Sequence, residues 1–251
     1  MKKQKLTSQP PRNCQSCPVR KQALFMPLDQ EELEAIQSVR TGTRHVRAGE
    51  VILDHDTNGE ESMTLFSGWA MRQRALESGR VQITSFLMAG SFIDADFELA
   101  NGDGYSIEAI TDVELCVFST GDLKKRFGEN AVLSRALATL AQSEEALLFE
   151  HMTDIGRRTA MERLAHFLLE THTRQKMLGM AGNDYCSFPL RQRHLADAMG
   201  LSLEHVNRML KELKDKGWAS IADGRLYILD FSGLSRYCDF DDSYLRPRPI
   251  F

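Results

Sequence analysis

The period of the apolar positions changes several times along this chain. From about residue 29 to 40, LDQEELEAIQSV repeats with a helical period. Between residues 44 and 120 the runs shorten to VILDHD, SMTLF, WAMRQRAL, RVQITSFL, SIEAI and VELCVF, rich in Val, Ile, Phe and Leu. Gly49, Gly68, Gly79 and Gly90 punctuate them at intervals of 19, 11 and 11 residues. Short strands with regular turns predict a small antiparallel barrel or roll. From Ala131 to Ile155 the helical period returns, with Leu133, Leu137, Leu140 and Leu147 followed by Leu148, Met152 and Ile155. Such a stripe suits a two-stranded coiled-coil seam. Glu144 and His151 interrupt it, and a helix packed on its own roll is the alternative. Next comes RRTAMERLAHFLLETHTRQ, whose apolar face is Met161, Leu164, Ala165, Leu168 and Leu169. Residues 176–186 read as a glycine-interrupted loop. The last twenty residues, with DFDD and RPRP, read as loosely ordered and without a function.

The stretch Gln192 to Leu210, QRHLADAMGLSLEHVNRML, predicts a helix-turn-helix. Two short helical patterns meet at Gly200, which enters a left-handed turn without steric cost. Ala196 is small where the first helix crosses the second. Val206 and Leu210, four residues apart, are expected to face the core. Ser202, Glu204, His205, Asn207, Arg208 and Lys211 are then left facing solvent, able to enter a DNA major groove. An ordinary helical hairpin with a glycine turn is the plainer reading. Gly217 follows as a C-cap. WASIADGRLYILD then offers two short strands around Asp223-Gly224, a strong two-residue hairpin turn. A hairpin there is a wing, and Arg225 at its tip is placed for a phosphate. Arg191, at the start of the first helix, is a further DNA-contact candidate.

Composition agrees with a soluble globular protein: 42% hydrophobic and 26% charged residues. No run approaches a membrane span, and no signal-peptide apolar region precedes the fold. Five cysteines, an odd number, suit a reducing cytoplasm without a disulfide framework. The net charge of −4 argues against indiscriminate coating of nucleic acid. Charge is unevenly placed, however. Residues 1–28 carry six Lys/Arg and no acid, and residues 156–216 carry eleven against seven Asp/Glu. A locally basic module on an acidic chain fits a specific binder. No Gly-x-Ser-x-Gly, phosphate-binding Gly-Lys-Ser/Thr loop or His-Glu-x-x-His occurs, so nothing points to an enzyme.

Strands with spaced glycines, a long helix, ERLAHFLLE and a winged helix-turn-helix follow in one order. In this the chain resembles the CRP/FNR family of bacterial transcription regulators. The resemblance runs from about residue 14 to 230, and is carried most specifically by RAGEVI, ESGRVQITSFLMAGSF and Arg191 to Lys216. It implies an α+β chain with a basic Cys-x-x-Cys arm (1–28) and a cyclic-nucleotide-binding-type β-roll (29–128). A dimerisation helix (129–156), a winged helix-turn-helix (157–230) and a tail (231–251) complete the division. It further implies a homodimer that binds double-stranded DNA and works with RNA polymerase, as activator or repressor. A β-roll gating a protein partner is the competing reading, which the helix-turn-helix and wing disfavour.

The FNR-like branch carries Glu-x-x-Ser-Arg on its recognition helix, and the matching positions here are Glu204, Asn207 and Arg208. By resemblance Arg208 reaches a guanine and Glu204 accepts from a cytosine amino group, implying a TTGA-like half-site. Those pairings are geometric matches in their own right. Asn207 departs from the pattern and leaves the outer base open. His205 suits the DNA backbone better than a metal.

For the sensor, the resemblance offers three ligands. The cyclic-nucleotide branch holds its phosphate with an Arg-Ser pair. Here SFIDADFELANGDGYSIEA carries Asp94, Asp96, Glu98 and Asp103 and no Arg, which does not suit cAMP. The FNR branch holds a [4Fe-4S] cluster with three N-terminal cysteines and one in the roll. Cys14, Cys17 and Cys116 match three of these, and the place of the missing one falls near Ala23. Asp29 or His45 would have to complete the set. A relict arm, a thiol pair that senses oxidation, or no cysteine-based sensing are the alternatives. Haem is the third ligand; His45, His55 and His151 are available, but no haem ligand is assigned. The signal expected is oxygen, redox or nitrogen-oxide status.

Overall fold

The computed structural model describes residues 13–19, 28–54, 59–94 and 105–246. The chain divides into two compact units, residues 1–137 and 138–251, with the division inside one long helix.

The first unit opens on a short helical turn at Cys14–Ser16 and on α1 (Gln30–Ser38). A capping box starts α1: the Asp29 side chain accepts from Glu32 N at 2.9 Å while Glu32 Oε2 accepts from Asp29 N at 2.7 Å. Among the described residues eight strands follow: β1 (Arg40–Val46), β2 (Val51–Asp54), β3 (Glu61–Ser67), β4 (Ala70–Ala75), β5 (Val81–Leu87), β6 (Phe92–Ile93), β7 (Tyr105–Ala109) and β8 (Val113–Ser119). They form two antiparallel four-stranded sheets, ordered β1-β8-β3-β6 and β2-β7-β4-β5. Alternate residues point inward, so Met63, Leu65, Ile107, Leu115 and Val117 fill a common core. The glycine rhythm has a steric cause at Gly68, whose φ is +90° and where a Cβ would collide with the Asp112 carbonyl. Helix α2 (Thr120–Glu129) closes the roll and buries Leu123 against Val39 and Phe118.

Helix α3 (Ala131–Arg157) has 27 residues, about 40 Å at 1.5 Å per residue. Asn130 caps it, its side chain accepting from the amides of Val132 and Leu133. The expected stripe divides by burial: Leu133 is buried, and Leu137, Leu140 and Leu147 are half-buried. The large apolar residues left in solvent are Leu148, Phe149, Met152 and Ile155, at 50, 61, 68 and 56% exposure, with Val132 at 36% near the start of the helix. With exposed Ala141 and Glu145, the residues Leu148, Met152 and Ile155 make a narrow seam, 141, 145, 148, 152, 155, spaced 4, 3, 4 and 3. The seam therefore lies one face away from the leading leucines of the sequence pattern.

In the second unit α4 (Ala160–Met177) starts at a Thr159–Glu162 capping box and buries Leu164, Leu168 and Leu169. Then come β9 (Tyr185–Ser187), α5 (Gln192–Met199), α6 (Leu203–Asp215), β10 (Ala219–Ala222), β11 (Arg225–Ile228) and α7 (Phe231–Cys238). Two expectations are corrected. Residues 176–186 are not simply a loop, because β9 pairs with β11 and widens the wing to a sheet ordered β10-β11-β9. Nor is the segment after 230 loosely ordered: Asp230 caps α7 through Gly233 N, and a short helical turn follows at Asp242–Leu245. Leu234, Cys238 and Leu245 are buried. Residues 247–251 lie outside the described residues.

This unit also holds an ion pair between His151 on α3 and Glu170 on α4, Nε2 to Oε2 3.1 Å. Burial pulls the His151 pKa down, but the Glu170 carboxylate more than offsets it, so it stands above the ordinary histidine value. Burial pushes Glu170 up, yet His151 and Arg174 prevail and hold it down to about 2. The two partners therefore limit the pair at opposite ends of the pH scale. The carboxylate's contribution is present above about pH 4.5 and fades as pH falls towards 2. The imidazolium's contribution is full below about pH 6.5 and fades as pH rises through its raised folded-state pKa. Melting temperature against pH is expected to decline along this alkaline limb, and His151→Gln is expected to flatten it.

Candidate nucleic-acid interface

Helices α5 and α6 meet at Gly200, which is left-handed at φ 64°, ψ 37°. The Leu201 amide turns back to the Ala196 carbonyl at 3.0 Å, satisfying a carbonyl at the end of α5. The Ser202 side chain then accepts from His205 N at 3.2 Å and caps α6. Sequence and geometry agree at Gly200, and the structure adds the Ser202 cap.

Val206, Met209 and Leu213 form the buried face of α6. Leu210 is only half-buried, so Met209 and not Leu210 is the second anchor. Positions 206, 209 and 213 follow the helical period more closely than 206 and 210 alone. Glu204, Asn207, Arg208 and Lys211 occupy i, i+3, i+4 and i+7 and are all exposed on one face. Ser202 is exposed at the helix start, and His205 is half-buried beside the core face. Leu203, which the sequence pattern does not single out, is the first residue of α6, 48% exposed and four residues before Asn207. An apolar side chain at the tip of such a helix can meet a thymine methyl. Its position one residue after the Ser202 cap was the available signal.

Two further basic elements belong to this unit. Arg191 precedes α5, and Arg191, Gln192 and Arg193 are exposed. The Arg191 amide donates to His194 Nδ1 at 3.1 Å. Burial, with the charges of Arg193 and Arg191, lowers His194 to about 4, so the imidazole stays neutral and keeps that lone pair. On the wing, Asp223 and Gly224 have φ of 50° and 69°, the pattern of a type I′ turn. Arg225 follows, exposed, with its guanidinium 5.4 Å from the Tyr185 ring of β9. This contact braces the arginine while leaving its donors outward. Lys216 is engaged otherwise, pairing with Glu212 at 2.8 Å and lying 4.8 Å from the Trp218 ring.

The candidate sensor cysteines sit in the first unit. Cys14, Cys17 and Cys116 are half-buried, and the first two lie near enough to Cys116 to raise its pKa. Burial is the larger cause of that rise, which opposes the thiolate a cluster needs. Of the residues expected to complete the set, Asp29 caps α1, and His45 is exposed on β1, two residues from Thr43, the strand partner of Cys116. Among the described residues no three His, Cys, Asp or Glu come together to hold a metal ion. Among the described residues the donors named for a [4Fe-4S] cluster are therefore not brought together as one set. His151 pairs through Nε2 with Glu170. His55, Asp96, Glu98 and Asp103 lie outside the described residues; Asp94 is half-buried. No described helix is long and apolar enough to cross a membrane.

Comparison with known proteins follows the same two-part division. A family model described as a cyclic nucleotide-binding domain matches residues 43–134, and one described as a Crp-like helix-turn-helix domain matches 162–237. The chain is 29% identical over 219 residues to the nitrogen fixation regulation protein FixK of Bradyrhizobium diazoefficiens, covering 86% of this chain and 90% of that one. It is 26% identical to the transcriptional activator protein FnrL of Cereibacter sphaeroides, covering 88% and 90%. Among solved structures, FixK2 from Bradyrhizobium japonicum superposes with a TM-score of 0.69 at 28% identity, covering 79% of this chain and 96% of that one.

Proposed function

Because this chain belongs to the CRP/FNR family of bacterial transcription regulators, we propose that it binds a TTGA-like palindrome as a homodimer. The observation that carries this reading is the exposed face of α6, with Glu204, Asn207 and Arg208 over a buried Val206–Met209–Leu213 base. Arg208 presents a fork to guanine, Glu204 an acceptor to cytosine, and Ser202, His205, Lys211, Arg191 and Arg225 reach backbone. The homodimer is supported by the exposed seam on α3, since a lone helix gains nothing by holding Leu148, Met152 and Ile155 in water. FnrL is named an activator, and we assign activation, in concert with RNA polymerase, to this chain as well.

The signal proposed is oxygen, redox or nitrogen-oxide status, without a cysteine-bound iron-sulfur cluster and without cAMP. A ligand of the roll, or the cellular level of the protein itself, supplies the response. Location is cytoplasmic, and no reaction is assigned. Fluorescence anisotropy on a TTGA palindrome and on the same bases scrambled, at one fixed salt concentration, tests the binding. Preference by about 10³ or more is expected. Equal affinity for both duplexes contradicts the reading.

A further inference from the structure

The last described elements, which follow the helix-turn-helix and its wing, are tied into the junction between α3 and α4. Arg158, between those helices, splits its guanidinium across the junction. Nη1 donates to Glu150 Oε1 at 2.7 Å and Asp154 Oδ1 at 2.6 Å, both on the last turns of α3. Nε donates to the Cys238 carbonyl at 3.0 Å and Nη2 to the Asp239 carbonyl at 3.3 Å, at the end of α7. Asp239 is left-handed at φ 52°, which terminates α7 there. The unpaired carbonyls of a helix end carry partial negative charge, so a cation is well placed against them.

A second tie lies one turn into α4. His166 is wholly buried, with Nδ1 3.2 Å from Asp154 Oδ2 and Nε2 3.4 Å from Glu150 Oε1. The segment after α7 roofs this ring. Phe240 meets it edge-on at 5.2 Å and Tyr244 lies nearly parallel to it at 6.0 Å. The Tyr244 hydroxyl then donates to Glu170 Oε2 at 3.0 Å, the oxygen that also pairs with His151. One short segment therefore touches the junction arginine, covers the histidine between two α3 carboxylates, and bonds the α4 carboxylate.

We propose that residues 230–246 form a clasp that fixes the DNA-binding module on the end of the dimerisation helix, and whose opening frees the junction at residues 157–159. Buried ion networks give little net stability against their solvated state, which makes such a closure reversible. Removing one partner leaves the others buried and unpaired, which makes it all-or-none. Opening exposes Glu150, Asp154, Arg158 and His166 to water together. The recognition helix moves with α4, so the clasp sets where it stands relative to the seam. This consequence for DNA rests on the function proposed above, whereas the clasp does not.

Hydrogen–deuterium exchange on the full-length protein without DNA tests the clasp itself. In Phe240→Ala, and separately in the milder Tyr244→Phe, amides of residues 150–162 are expected to exchange at least tenfold faster. Those of α6 and of the β-roll are expected to keep their wild-type rates. Unchanged exchange at 150–162 in both variants overturns the clasp, as does an equal rise through α6, which would make the segment ordinary core. The same variants are then titrated with the palindrome. A changed affinity with every DNA-facing residue intact is expected. Unchanged affinity, with faster exchange at the junction, overturns the link to DNA and leaves the DNA reading standing.

Discussion

Met152→Glu is expected to convert the proposed dimer to a folded monomer and to weaken binding to a palindromic site by about 10²–10⁴. Met152 is the most exposed apolar side chain of α3, at 68%, and sits between Leu148 and Ile155 in the 3-4 spaced seam. Being exposed in the protomer, it contributes little to the protomer's own core, so circular dichroism and the content of secondary structure are expected to stay as they are. Across a two-fold axis the substitution places two carboxylates in an apolar contact with no cation to meet them. Each monomer then holds one half-site, and the gain from simultaneous engagement disappears. Light scattering after size exclusion checks the mass, and anisotropy checks the affinity. A variant that stays dimeric places the interface on another surface.

The second large effect lies on α6. Arg208→Ala is expected to lose about 1–3 kcal/mol of discrimination at one base pair of each half-site, with affinity for random DNA nearly kept. Lys211→Ala, one turn further and equally exposed, is expected to weaken all sequences alike and to lower the salt slope by about one. The contrast between the two variants is the informative quantity, because either loss alone also follows from partial unfolding. Equal losses on specific and random DNA for both variants would remove the assigned roles.

These predictions rest on features of unequal visibility in the chain. Gly200 and Asp223-Gly224 were legible because each is fixed by a local backbone requirement, a left-handed residue or a type I′ turn, whereas Ser202 was expected only as a solvent-facing residue and its capping of α6 comes from the structure. The alternation of the roll was legible for the same reason, since its inward face is one continuous core. The seam was only half legible. Counting leucines merges residues that a protomer buries itself, such as Leu133, with those it leaves outside, such as Leu148; only the packing separates them. Phe149 and Leu203 escaped because exposure of an apolar residue is not encoded in its type.

The three-residue β9 is too short to show a period. Helix α7 spans eight residues, one of them glycine, and gives little pattern to follow. Its Asp230 cap was the sign available. The cysteines illustrate the opposite limit: resemblance placed Cys14 and Cys17 near Cys116, but a ligand set depends on burial and on what completes it, and Asp29 is already a cap.

Selection of bound duplexes from a random pool by the wild-type protein tests the central claim most directly. The account predicts enrichment of an inverted repeat with TTGA-like arms, their centres one helical turn or a multiple apart, and retention of two protomers per duplex. Enrichment of no sequence, or of a single arm held by one protomer, would contradict it.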